Sequence, residues 1–265
     1  MTKPISEAEM VSVGELSLAV RQWGTGETLL LVHGLGASSR LWINQVEFGD
    51  RFHVVAVDLR GFGLSDKPKS PGSYSIEKFS NDLFHLADKL GVSKFHYLGT
   101  SMGGFIGQAM ALRSPQRITS LMLVHTAAKS SIPRDILEVR LKALKEMSMT
   151  DYGKLVAEQA LAEGKQSRIF DWLVAMIAAN DREAYARVLT EGLSGFDLSK
   201  ESSRLQMPVL VIVGDTDRVI PPQAGYALAE GIQGVDLHTL KNAGHIGYAE
   251  QPAAFNEIIL SFLGG

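Results

Sequence analysis

Residues 95–110 read FHYLGTSMGGFIGQAM, in which a single hydroxyl, Ser101, stands between a buried-type apolar run and a glycine-rich helical opening. Two readings of that serine compete. It caps the following helix, as serines often do, or it is a nucleophile raised on a sharp strand-to-helix turn. Gly99 and Gly103 lie two residues either side of it, where a tight turn brings backbones together and leaves no space for Cβ atoms. Gly104 and Gly107 allow the helix to lie close on a sheet, and Ser114-Pro115 ends it. A helix N-terminus beside the hydroxyl offers free N–H groups and a positive dipole end, which stabilise negative charge appearing there.

Outward from this segment, short Val/Leu/Ile-rich runs recur: TLLLVHG at 28–34, HVVAVDLRG at 53–61, RITSLMLVHTA at 117–127 and PVLVIVGDTD at 208–217. Hydrophobicity that is continuous rather than alternating suits strands buried on both faces of a parallel sheet. With helical segments between them, the class is α/β. ELSLAVRQWGTGE, at 15–27, alternates apolar and polar positions before two glycines and predicts an antiparallel edge hairpin, so the sheet is expected to be mixed. The strand rhythm stops between 128 and 205, where RDILEVRLKALKEM, TDYGKLVAEQALAEG, SRIFDWLVAMIAA and DREAYARVLTEGL follow one another. The expected organisation is a core of residues 1–127 and 206–265 with a helical cap over 128–205.

Composition narrows the partner. The chain has 265 residues, 45% of them hydrophobic, which fills a large core. A net charge of −3 with both signs interspersed leaves no basic stripe for nucleic acid, and a small-molecule ligand is expected. Cysteine is absent, which removes disulfides, thiolate nucleophiles and cysteine zinc sites together. The opening MTKPISEAEMVSVGE, with Pro4, Glu7 and Glu9, does not read as a secretory signal, and no run of roughly 18 apolar residues suggests a membrane span. A cytoplasmic location is the expectation; the sequence assigns no oligomeric state.

A serine nucleophile needs a base, because its hydroxyl stays protonated at neutral pH. His53, His85, His96 and His238 fall in strand or helix patterns, and His33 reads as an orienting residue. His245 differs. It lies in KNAGHIGYAEQP, a glycine-flanked loop where a polar side chain has little packing purpose. An acceptor must hold the base in one tautomer, and VLVIVGDTDRVIPP offers Asp215 and Asp217; the first can equally bond the turn backbone. HGLG at 33–36 ends another buried strand, so the N–H groups of Leu35 and Met102 are candidates for an oxyanion hole, each worth about 3 kcal/mol in a transition state.

Five segments in order, HGLGASSRLW, DLRGFGLSDKP, GTSMGG, VGDTDRVIPP and NAGHIGYAEQPAAF, resemble the α/β-hydrolase superfamily, and especially its branch of 3-oxoadipate enol-lactonases and small carboxylesterases. The resemblance covers nearly the whole chain and is weakest over 128–205. It implies an α/β-hydrolase fold, a cap acting as lid, a final helix packed on the sheet, and Asp217 as the acid of a Ser101–Asp217–His245 triad. DLRGFGLSD lacks the third glycine of a dinucleotide loop and the GK[ST] of a phosphate loop; the family reading makes Asp58 and Arg60 structural. His125, at the end of LMLVHTA, should emerge on the same sheet edge as Ser101 and is a candidate to touch substrate, a non-catalytic role in or behind the pocket being the favoured reading. Trp172 and Met147 are candidates to face substrate, with Met149 and Met176 as further cap residues, although Met and aromatic residues at helical spacing mostly pack.

The expected chemistry is two-step acyl transfer on a small or medium carboxylic ester or lactone, with no metal or organic cofactor. Serine at the elbow argues against the aspartate-based dehalogenase and epoxide hydrolase branches. Two alternatives remain on the same fold: hydrolysis of a carbon–carbon bond in a ring-cleavage product, and a ligand receptor that keeps the triad without turnover.

Overall fold

The computed structural model describes residues 6–130, 132–193 and 195–264; Pro4, part of the opening read above, lies outside them. Its strands are β1 Glu9–Ser12, β2 Ser17–Trp23, β3 Thr28–Val32, β4 His53–Val57, β5 Phe95–Thr100, β6 Ile118–Val124, β7 Val209–Gly214 and β8 Asp236–Leu240. They form one sheet in the order β1-β2-β4-β3-β5-β6-β7-β8. From β4 onward every neighbouring pair is parallel, and β3, β5 and β7 are buried along their whole length. That is the environment their unbroken apolar runs require.

The antiparallel edge exists, but its hairpin runs the other way along the chain. β2 pairs antiparallel with the preceding β1 and with β4, while β3, beyond Gly24 and Gly26, lies on the far side of β4. Gly24 therefore does not close a hairpin. Its φ is +75°, and a Cβ there would overlap the Phe52 carbonyl and Gly49, so the glycine permits a close backbone crossing.

Helix α1 is Ile76–Lys89 and α2 is Met102–Arg113. Between β6 and β7 run α3 Arg134–Glu146, α4 Met149–Ala160, α5 Phe170–Ala178 and α6 Arg182–Arg187, the last continuing as a π turn over Val188–Gly192. Ser148 and Asp181 start α4 and α6 by accepting the N–H of Asp151 and Ala184, each three residues on. Helices α7 Pro222–Glu230, α8 Gly247–Glu250 and α9 Pro252–Phe262 complete the chain. No helix among the described residues is long and apolar enough to cross a membrane.

Strand order reverses at β3, which has β4 on one side and β5 on the other. In open α/β sheets the carboxyl ends of the strands at such a point bound a crevice. The register aligns Val32 with Gly99, so the HGLG loop and Ser101 leave the sheet side by side.

Candidate active site

Ser101 has φ +53° and ψ −117°, a conformation glycine adopts freely and other residues at a cost of about 1–3 kcal/mol. Its main chain is pinned: the N–H donates to Val124 O at 2.9 Å, and its carbonyl accepts from Thr126 Oγ1 at 2.9 Å and Gly104 N at 2.9 Å. The side chain does not cap α2. It faces a cavity instead. A Cβ at Gly99 would overlap the Gly103 carbonyl, and one at Gly103 would overlap Val32 O, so both glycines are required by the turn's packing.

His33 organises the neighbouring loop. Its Nε2 accepts the Leu59 N–H at 3.0 Å, which leaves the proton on Nδ1, 2.6 Å from Gly34 O. Burial pushes this imidazole below its ordinary value, keeping it neutral. Because a trans peptide sets C=O and N–H on opposite sides, holding Gly34 O on the His33 side turns the Leu35 N–H the other way. Gly34 itself touches Ser101, and a Cβ added to it would lie 3.0 Å from Ser101 Cβ. Met102 is the first residue of α2, so its N–H has no intrahelical acceptor.

At the end of β7, Asp217 is 4% exposed. Oδ1 accepts Val219 N at 2.8 Å and Ile220 N at 3.0 Å; Oδ2 lies 2.8 Å from His245 Nδ1. Burial alone would raise this carboxyl, but the facing imidazole of His245 with its hydrogen bond, and that of His125 close by, outweigh it and hold the group well below the usual carboxylate range. Asp215, by contrast, accepts the turn N–H of Ala243 at 3.3 Å and stands 4.0 Å from Lys241 Nζ. It makes no contact with His245 among the described residues. The His245 loop is tied down by His245 N–H to Ala160 O at 2.6 Å, and Glu250 accepts both Ala162 N and Gly244 N, at 2.8 and 2.7 Å.

Ser101, His245 and Leu35 line one cavity of about 690 Å³, within the range of small-molecule sites. Its far wall comes from the helices between β6 and β7, through Ile136, Arg140, Tyr152, Leu173 and Tyr185. Trp172 and Met147 do not line it. The inward pair on α5 is Leu173 and Ile177, one turn apart, and Trp172 is rotated about 100° away; Met147 only terminates α3. His125 does not reach the cavity either: its side chain is fully buried, with Nδ1 3.6 Å from Asp217 Oδ2. Asp58 and Arg60 are structural, Asp58 accepting Ser39 N and Leu64 N and Arg60 gripping Asp82 through two bonds of 2.5 Å.

Several residues at the site carry no sequence signal of their own. Arg218 donates to the carbonyls of Glu158 and Leu161, joining the Asp217 loop to the end of α4. Tyr185 packs against Gly36, whose carbonyl accepts from Asn180 Nδ2 at 2.8 Å. Among the described residues no group of three or more His, Asp or Glu side chains is placed to hold a metal.

The parallel sheet, the strained serine at its switch point and the histidine–aspartate pair define an α/β hydrolase, and the chain belongs to the alpha/beta hydrolase fold family, which it matches over residues 27–171. Its relatives are more particular. It is 31% identical over 235 residues to 3-oxoadipate enol-lactonase 2 of Acinetobacter baylyi, covering 87% of this chain and 86% of the relative. A 2-hydroxy-6-oxononadienedioate/2-hydroxy-6-oxononatrienedioate hydrolase of Paraburkholderia phymatum is 29% identical, with 94% and 92% covered. The crystal structure of the enol-lactonase from Burkholderia xenovorans superposes with a TM-score of 0.90 at 28% identity, over 97% of this chain and 100% of that one.

Proposed function

We propose that the protein is a serine hydrolase that cleaves a small or medium carboxylic ester or lactone through an acyl-enzyme on Ser101. The observation that carries this reading is the 2.8 Å contact of His245 Nδ1 with Asp217 Oδ2 at the edge of a cavity that also holds Ser101. With Nδ1–H committed to Asp217, Nε2 is the basic nitrogen. It takes the Ser101 proton as Oγ attacks the carbonyl carbon, and returns it to the departing alkoxide oxygen. The Leu35 and Met102 N–H groups receive the oxyanion. Water, deprotonated by His245, then attacks the acyl carbon and frees Ser101. No metal or organic cofactor enters this sequence.

Residues 1–127 and 206–265 act in this scheme as the core, and 128–205 as a cap that shapes the substrate. Charge supports a narrower substrate. The charged residues lining the cavity are Lys129, Arg140 and Arg218, with no Asp or Glu among the described lining residues, although Asp197 pairs with Lys129 across a β-bridge, on a chain of net charge −3. Arg140 stands one turn from Ile136 on the cavity side of α3. An ester or lactone bearing a carboxylate fits that wall.

Likeness to a dienedioate hydrolase at 29% identity favours carbon–carbon hydrolysis of a ring-cleavage product as the second reading; a receptor without turnover is the third. One panel decides among them: esters, lactones and a vinylogous diketone, each neutral and carboxylated, assayed with wild type and Ser101→Ala. Steady ester or lactone turnover that vanishes in Ser101→Ala, faster for carboxylated members, is expected. Turnover of the diketone alone, or a single slow modification without turnover, overturns the reading.

A further inference from the structure

His125 combines two unusual features at one position. Its φ is +47°, in the left-handed region where a non-glycine residue is strained. Its Nδ1 is buried with no hydrogen-bond partner, a condition that destabilises an ordinary donor. A histidine there also excludes any Cβ at residue 247, since one on Gly247 would lie 2.8 Å from His125 Nε2.

The tautomer follows from that neighbour. Nε2 accepts the Gly247 N–H at 3.2 Å, so the proton sits on Nδ1. That N–H faces Asp217 Oδ2 at 3.6 Å, a long contact rather than a formed bond, of the kind that shortens when substrate is bound. Oδ1 already holds two backbone N–H groups and Oδ2 holds His245. One of the carboxylate's four acceptor directions is left, and His125 Nδ1 stands on the Oδ2 side that carries it.

Resting on the assignment of Asp217 and His245 as acid and base, we propose that His125 is a positioning residue for that pair. Its Nδ1–H is a second imidazole donor to Oδ2 that holds the carboxylate anionic and in the orientation His245 needs. It touches no substrate, and acts only through Asp217.

Asn and Leu at residue 125 separate this from a packing role. The Asn amide nitrogen stands where Nδ1 stands, Leu has the same shape without a donor, and both lose the Gly247 contact. We expect His125→Asn to keep kcat within about 3-fold of wild type and His125→Leu to lose about 10–100-fold, the range for outer groups that orient a functional residue, with KM unchanged in both. In an Asp217→Asn background the Asn–Leu difference should shrink below about 3-fold, since the group acted upon is gone. Equal losses for Asn and Leu, or a difference that persists with Asp217→Asn, overturn the proposal. Nitrogen-15 NMR of the wild-type imidazoles needs no variant to fold: a proton on Nδ1 of His125 is expected, and one on Nε2 refutes the geometry. If Ser101→Ala left turnover intact, the reading of the whole site would fail instead, a result distinct from either outcome at His125.

Discussion

Asp217→Asn tests the proposed base most sharply, because the surroundings dictate how the new amide must sit. Oδ1 accepts two backbone N–H groups, from Val219 at 2.8 Å and Ile220 at 3.0 Å. The Asn oxygen takes that place, since an NH₂ there would oppose two donors. Its NH₂ then points at His245 Nδ1, which must give up its proton and accept. The proton moves to Nε2, and the imidazole can no longer receive one from Ser101. A wrong tautomer of this kind costs about 10⁴ in kcat, or about 5.4 kcal/mol of barrier. The assay is hydrolysis of a short-chain p-nitrophenyl ester under saturating conditions, with KM expected within about twofold because no cavity-lining group has changed. Asp215→Asn is the control: its carboxylate contacts are Ala243 N at 3.3 Å and Lys241 at 4.0 Å, and less than about a 3-fold effect is expected, a surface-like change. A loss below tenfold for Asp217→Asn, or a crippling Asp215→Asn, would falsify the assignment.

Ser101→Ala and His245→Ala should each lower kcat by about 10⁶, and the double variant should be scarcely worse, because the two groups act as one unit; additive losses in the same ester assay would contradict a shared proton transfer. Gly103→Ala places a methyl group on the Val32 carbonyl, 2.9 Å from His33 O as well. Overpacking of this sort costs about 1–3 kcal/mol, and a thermal midpoint lowered by several degrees is expected; an unchanged midpoint would mean that the turn relaxes freely. Acid sensitivity has a defined sign. Burial holds His33 and His125 below their ordinary value, so below about pH 6.5 the unfolded chain binds protons that the folded one refuses. Their contribution to stability is present above that pH and lost below it. Urea midpoints at pH 7.5 and 5.5 should show the loss, and His125→Asn should make it smaller.

The parallel strands were legible in the sequence because burial on both faces removes alternation, leaving runs such as TLLLV and VLVIVG whose meaning is unambiguous. The direction of the edge hairpin was not, since β1 is four residues of mostly exposed EMVS with no apolar pattern. Ser101, His245 and the two loop aspartates declared themselves by standing in turns where packing has no use for them. Telling Asp217 from Asp215 needed the family resemblance, because two positions in one turn differ only in where the turn points them. Which cap residues face the cavity was not legible for a related reason. Period 3.6 marks a helix's apolar stripe but not which edge of it meets a pocket, and Trp172 and Leu173 are adjacent letters on different faces. His125 follows β6, the neighbour of the strand that carries Ser101, and its fully buried side chain stands 3.6 Å from Asp217 rather than on the cavity wall.

That left-handed backbone belongs to a pattern. Among the described residues the non-glycine positions with positive φ are Ser101, His125 and Asn242. Thr100 and Val124, the residues before the first two, are paired across β5 and β6, and Asn242 opens the loop that delivers His245. Strain of about 1–3 kcal/mol at each survives only where surrounding structure over-determines the backbone. At Ser101 and His125 the neighbouring strands β6 and β7 do so, through Ser101 N to Val124 O and His125 N to Ile212 O, at 2.9 and 2.8 Å. Glycine would relieve any of the three positions, yet at 101 it would delete the hydroxyl that lines the cavity and at 125 the imidazole that faces Asp217. The rigidity of the sheet is thus what lets Asp217, His245 and His125, distant in sequence, be held against one another beside the cavity that Ser101 lines. Preorganisation of this kind, rather than movement during the reaction, is where a hydrolase of this fold obtains most of its electrostatic advantage.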